Sequence, residues 1–178
     1  MDVITVKDKQ FALSLPSSEI LRQVRRVAAE INRDYAGKEP IFLAVLNGSF
    51  VFAADLLREV TLPCQIHFVK MTSYEGMQST GDVREIIGLN TDIEGQNVIV
   101  LEDIVDTGKT MATMLEMLRT YNPASVDVCT MMLKPGKLQV NLDIRYNCFE
   151  IPDDFIVGYG LDYDGYGRNL RSIYTVVE

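Results

Sequence analysis

Residues 97–110 read NVIVLEDIVDTGKT, and their order decides the fold. An apolar, β-branched run, residues 98–101, has the pattern of a strand buried on both faces. It stops at the adjacent acids Glu102 and Asp103. Residues 102–110 then form a turn with a third acid, Asp106, and the sequence Thr107-Gly108-Lys109-Thr110. Met111, Met114, Leu115 and Leu118 follow at helical spacing, so the stretch is expected to be strand, turn and helix.

The same unit stands upstream. Ile41-Phe42-Leu43-Ala44-Val45 is apolar throughout and ends at Asn47-Gly48-Ser49, and residues 50–59 return to helical spacing through Phe52, Ala53, Leu56 and Leu57. Before it, Ile20, Val24, Val27 and Ile31 mark a helix that Ser17 or Ser18 is expected to cap. Ser125–Leu133 (SVDVCTMML) predicts a third buried strand, and residues 155–159 (FIVGY) a fourth. Strands alternating with helices imply an α/β fold, a mainly parallel twisted sheet flanked by helices. Between strands expected at 65–70 and 85–89 lies MTSYEGMQSTGDVR, a long polar connection of the kind that forms lids.

Composition limits the function. The 178 residues suffice for one domain with one substantial core, and 47% of them are hydrophobic. A net charge of -8 without a run of Lys or Arg argues against a generic nucleic-acid binder. Cys64, Cys129 and Cys148 are scattered and read as buried hydrophobes in a reducing, cytoplasmic setting. No apolar run approaches the ~18 residues of a membrane span, and the start MDVITVKDKQ is unlike a signal peptide. A single histidine, His67, and the lack of Cys-x-x-Cys and Gly-x-Ser-x-Gly leave zinc and serine-hydrolase chemistry without parts.

Gly-Lys-Thr after a strand suggests phosphate binding, yet three acids line the same turn. A Walker-type loop fails, because its first glycine would fall at Asp103. A ligand with two faces removes the conflict. Backbone N–H groups at a helix start attract one phosphate, while carboxylates accept from sugar hydroxyls. A ribose 5-phosphate presents both.

On these residues VIVLEDIVDTGKTM resembles the phosphoribosyl-pyrophosphate motif of type I phosphoribosyltransferases, and specifically their hypoxanthine (hypoxanthine-guanine) branch. Leu46-Asn47-Gly48-Ser49, Ser73-Tyr74 with Ser79-Thr80-Gly81, Lys134 and EIPDDFIVGYGLDYDGYGRNL (residues 150–170) match in order. The resemblance implies one phosphoribosyltransferase domain over 1–178, with a mobile lid at 71–84 carrying Ser73 and Tyr74. It also implies a small hood built from about 1–15 and 135–178.

The implied reaction moves a 5-phosphoribosyl group from phosphoribosyl pyrophosphate to a purine. By motif position Asp106 is the general acid/base near purine N7. Thr107, Gly108, Lys109 and Thr110 hold the 5-phosphate, and Glu102 and Asp103 hold the ribose hydroxyls. Asn47, Gly48, Ser49 and Arg168 meet pyrophosphate. Lys134 reads the 6-oxo group, Phe155 stacks on the base, and Ile156 and Asp162 line its edge. Mg2+ is implied as cofactor, with Asp162, Glu102 and Asp103 as candidate ligands, and a homodimer or homotetramer as assembly. The family often has Lys where Asn47 stands, after a cis peptide, so a cis Leu46-Asn47 bond is expected without any lysine contribution. Two other readings stay open: a phosphoribosyltransferase-like regulator that binds nucleic acid, and a xanthine-preferring relative.

Overall fold

Every side chain of β3 (Ile41–Val45) is buried, and the alternation of its neighbours shows why. Phe42 and Ala44 face the same cluster as Ile99 and Leu101, covered by α1 (Ser17–Asp34) and α2 (Phe50–Glu59) through Ile20, Val24, Val27, Ile31, Phe52 and Leu56. Ile41, Leu43 and Val45 face the opposite cluster with Val98 and Val100, covered by α3 (Lys109–Arg119) through Met111, Met114, Leu115 and Leu118. A strand with helices on both sides has no polar face. Each large apolar side chain buried this way contributes about 1.5–3 kcal/mol.

The computed structural model describes residues 2–74 and 83–177. Among the described residues one sheet has six strands in the order β5-β4-β3-β6-β7-β8, where β4 is Gln65–Tyr74, β5 Val83–Ile87, β6 Asn97–Val105, β7 Ser125–Leu133 and β8 Tyr146–Glu150. All neighbours are parallel except β5, which runs antiparallel to β4 at one edge. The carboxyl ends of β3, β6 and β7 therefore share one edge, where open α/β sheets bind ligands.

Several expectations need correction. The turn expected to begin at 102 begins later: β6 continues to Val105, with Glu102 opposite Thr130 and Val105 opposite Leu133. Its strand pairing with β3 ends at Ala44 and Leu101, so residues 102–105 extend past the end of β3, where the turn that follows β3 packs on Asp103. The helix cap expected at Ser17 or Ser18 is Pro16, and the Ser17 N–H is instead satisfied by Ser172 Oγ at 3.0 Å. The strands expected at 65–70 and 85–89 run into the connecting segment as β4 and β5, leaving 75–82 outside the described residues.

The fourth strand also differs. Only Ile156–Val157 (β9) of FIVGY is extended, because Gly158 has φ 106° and Tyr159 φ 48°. It belongs to a second, antiparallel sheet, β1-β2-β10-β9, with β1 Val3–Val6, β2 Lys9–Leu15 and β10 Ile173–Val176. The hood span of 135–178 thus contains a strand of the large sheet, β8, paired with β7.

At the amino end of the large sheet, charges and phenols tie α1 to β7 and β8. Tyr35 OH donates to Asp127, Arg145 bonds Asp127 at 2.8 Å and approaches Asp34 at 3.4 Å, and Tyr146 OH donates to Asp34 at 2.8 Å. Burial and then its carboxylate partner push each of these tyrosines well above the usual phenol range. All three cysteines are free, and among the described residues no helix is long and apolar enough to cross a membrane.

Candidate active site

Thr107 and Gly108 lead into α3, whose N-cap is Gly108 at φ 81° with no side-chain cap. An acid just before a helix is ordinarily its cap, but here that position belongs to glycine and Asp106 is left free of the role. The first-turn N–H groups of α3 have no intrahelical acceptors; the Lys109 N–H meets only Thr107 Oγ1 at 3.4 Å. Their combined dipole favours an anion. A cavity of about 110 Å3 opens on them, lined by Glu102, Ile104, Val105, Asp106, Thr107, Gly108, Thr110 and Met111. The loop is held from behind, as Gln139 N donates to Thr107 O at 2.9 Å and a Cβ on Gly108 would press on Leu138, Val140 and Leu142.

Glu102 and Asp103 sit at the projecting end of β6. The Asp103 N–H donates to Glu102 Oε1 at 3.1 Å, and the Ile104 N–H to Asp103 Oδ1 at 2.7 Å, so both carboxylates are oriented by their own strand. Although part of Glu102 reaches solvent, enclosure of its carboxyl, and then the neighbouring Asp103, raises it well above the usual carboxylate range. Two acids this close favour a ligand that brings donors.

The turn after β3 meets this pair. The Leu46–Asn47 peptide is cis, as the resemblance implies. The approach is so close at Gly48 that a Cβ there would collide with the Asp103 carboxylate. The Ser49 hydroxyl is fully buried and donates to Val45 O at 2.5 Å, so its side chain is turned into the fold. Gly160 packs on the Gly48 carbonyl closely enough to exclude a Cβ, and Arg168 donates to Gly160 O at 2.8 Å while pairing with Asp162 at 2.9 Å. The chain places Asn47, Gly48, Asp103, Gly160, Asp162 and Arg168 in one continuous wall.

Lys134 ends β7. As a residue before Pro135 it reads most simply as an exposed loop lysine, yet only 7% of its surface is accessible. Its Nζ lies 3.8 Å from Asp106 and 3.0 Å from Asp153. Lys137 joins them, 2.9 Å from Asp153 and 3.3 Å from Asp106 Oδ1. That oxygen is buried and has no hydrogen-bond partner, since the lysine lies within ion-pair distance but off the bonding direction. Buried polar atoms are rarely left so, and this oxygen has room to accept a further hydrogen bond. Lys137 first, and then Lys134, hold Asp153 below its ordinary carboxylate range. Phe155, two residues on, is 47% exposed and so is not strand core; Tyr163 meets its ring edge-on at 5.7 Å.

The family model of the phosphoribosyl transferase domain matches residues 15–164. This chain belongs to the phosphoribosyltransferase family. It is 42% identical over 166 residues to a hypoxanthine phosphoribosyltransferase of Buchnera aphidicola, covering 92% of this chain and 94% of that one. A hypoxanthine-guanine phosphoribosyltransferase of Aquifex aeolicus is 37% identical, with 96% and 97% covered. A crystal structure of a hypoxanthine-guanine phosphoribosyltransferase from Bacillus anthracis superposes with a TM-score of 0.86 at 34% identity, over 99% of this chain and 100% of that one. The fold is the type I phosphoribosyltransferase fold.

In this phosphoribosyltransferase the sequence reading missed Lys137 and Asp153. The one available signal was spacing: Lys134 and Lys137 bracket Pro135-Gly136, and Pro135–Lys137 forms a single 3-10 turn that brings both ammoniums to one side. Of the lid expected at 71–84, Met71 to Tyr74, with Ser73 and Tyr74 among them, end β4 and Val83 and Arg84 begin β5, while 75–82 lie outside the described residues. A larger cavity, about 330 Å3, lies between α1, α2 and residues 168–171 and shares only Arg168 with the candidate site.

Among the described residues no group of three or more His, Cys, Asp or Glu side chains is gathered to hold a metal. Asp162 directs one oxygen to Arg168 and the other to the Gly165 N–H at 2.7 Å. A carboxylate has about four lone-pair sites, so capacity remains. This donor set fits a hard cation that keeps its waters and is bound by one or two carboxylates together with substrate phosphates.

Proposed function

We infer that this phosphoribosyltransferase transfers the 5-phosphoribosyl group of phosphoribosyl pyrophosphate to a 6-oxopurine, hypoxanthine and guanine, giving IMP or GMP and pyrophosphate in purine salvage. The observation that carries the choice of base is the buried Lys134 ammonium beside Asp106 at the carboxyl edge of the sheet. An ammonium donates to a 6-oxo group and cannot accept from a 6-amino group, which selects against adenine.

The geometry of the site supports the following roles. The α3 N-terminus with Thr107, Gly108, Lys109 and Thr110 holds the 5-phosphate, and Glu102 and Asp103 accept from the ribose hydroxyls. Phe155 offers a half-exposed ring for the purine to stack on, with the Ile156 backbone and Asp162 at the base edge. Purine N9 attacks C1′, the C1′–O bond breaks with its electron pair leaving on pyrophosphate, and the N7 proton passes to Asp106. Backbone N–H groups of 47–49 and the Arg168 guanidinium stabilise the departing anion. Ser73 and Tyr74 belong to a lid that closes and excludes water.

Enzymes of this family generally need a divalent metal. We assign Mg2+, held by Asp162 with Glu102 and Asp103 as further candidate ligands; when bound it neutralises pyrophosphate charge. We place the enzyme in the cytoplasm as a homodimer or homotetramer, a reading supported by its free cysteines and by the family.

The test is the base profile. With phosphoribosyl pyrophosphate and Mg2+, hypoxanthine and guanine should yield nucleotide and adenine should not. Absence of product with any 6-oxopurine would overturn the reading.

A further inference from the structure

Lys134 lies between two carboxylates and leans to one of them. Its Nζ is hydrogen-bonded to Asp153 Oδ1 at 3.0 Å, whereas Asp106, at 3.8 Å, is beyond bonding distance. Lys137 bonds the same Asp153 oxygen at 2.9 Å and also donates to Asp106 Oδ2 at 3.4 Å, while Asp106 Oδ1, 3.3 Å away, is left without a hydrogen bond. Two ammoniums and two carboxylates thus alternate, and Asp153 is the member that both lysines grip. Asp153 belongs to no role assigned above.

The chemistry of this site makes the lean matter. A buried ammonium needs an anion, and in the absence of Asp153 the nearest one is Asp106. A lysine drawn onto Asp106 would add a second ammonium to the carboxylate that has to take a proton, and would turn its N–H groups from the base. Asp153 prevents this from the far side. The ammonium has three donors, so one spent on Asp153 leaves the others for the purine carbonyl. The link also reaches the stacking ring, because Asp153 stands two residues before Phe155 in the segment that bears it.

We propose that Asp153 is a positioning residue: it holds the Lys134 ammonium off Asp106, so that Lys134 presents a donor to the 6-oxo group while Asp106 keeps a free oxygen for the purine proton. Lys137 supports it by gripping the same oxygen. The proposal rests on the 6-oxopurine reading above and adds a residue to it.

Steady-state kinetics on the full-length enzyme test it, with wild type, Asp153→Ala and Asp153→Asn measured side by side. For Asp153→Ala the KM for hypoxanthine should rise about 10–100-fold, the size expected for a misplaced charged hydrogen-bond donor, and kcat should fall with it. The KM for phosphoribosyl pyrophosphate should stay within about twofold. Asp153→Asn, which keeps an oxygen acceptor of the same shape, should recover part of the hypoxanthine KM. If Asp153→Ala does not fold, Asp153→Asn carries the test, with a selective rise in hypoxanthine KM expected. Unchanged constants, or equal rises for both substrates, would overturn the positioning role alone. Wild type that makes no nucleotide from hypoxanthine would overturn the function, and the positioning role with it.

Discussion

Asp106→Asn should slow phosphoribosyl transfer by about 10²–10⁴-fold, the range for loss of one acid–base group. The replacement has the same shape, and the loop that carries Asp106 is anchored through backbone bonds that do not involve this side chain, such as Lys134 N to Val105 O at 3.0 Å and Gln139 N to Thr107 O at 2.9 Å. Folding and the affinity for phosphoribosyl pyrophosphate should therefore change little. An amide cannot take the purine proton, and it also withdraws a negative charge from between Lys134 and Lys137, so kcat should carry most of the loss. Rapid-quench measurement of the transfer step separates this from slow product release. A transfer rate equal to that of wild type would remove Asp106 from the acid–base role.

The second large effect is expected at a residue without a side chain. Gly48→Ala should lower kcat/KM for phosphoribosyl pyrophosphate by about 10²-fold, the usual result of shifting a positioned group by an ångström. Gly48 is not at positive φ, so alanine meets no backbone penalty there. The obstacle is the Asp103 carboxylate, which a Cβ would strike directly. Asp103 is a short side chain whose other oxygen accepts from the Ile104 N–H at 2.7 Å, so it can yield only by breaking that bond and leaving the ribose wall. The melting temperature should move far less than the activity, because the collision lies at the open edge of the sheet. Full activity in Gly48→Ala would show that the turn and the acid pair do not form one wall.

These two residues show what the sequence made legible. β3 and β7, and the first part of β6, declare themselves because strands covered by helices on both faces are apolar at consecutive positions, and the acids at the end of β6 stand out against them. The turn residues 47–49 were recognisable by their place after a strand. β8 was not: Tyr146–Glu150 reads YNCFE, buried at alternate positions on an edge strand, and carries no continuous apolar run. The hood sheet was also hard to see, since β9 is only two residues long and gains its order from pairing with β10. Lys137 and Asp153 are 16 residues apart and meet only because β8 carries the chain back beside β7. Charge pairs of that kind leave no local pattern.

Everything here depends on one division of labour at the end of β6: helix N–H groups take the phosphate and adjacent acids take the sugar. A crystal structure with phosphoribosyl pyrophosphate and Mg2+ tests it directly. The 5-phosphate should lie against the backbone N–H groups of residues 107–110, with the ribose hydroxyls about 2.5–3.0 Å from the carboxylates of Glu102 and Asp103. A ribose bound away from both carboxylates would contradict it.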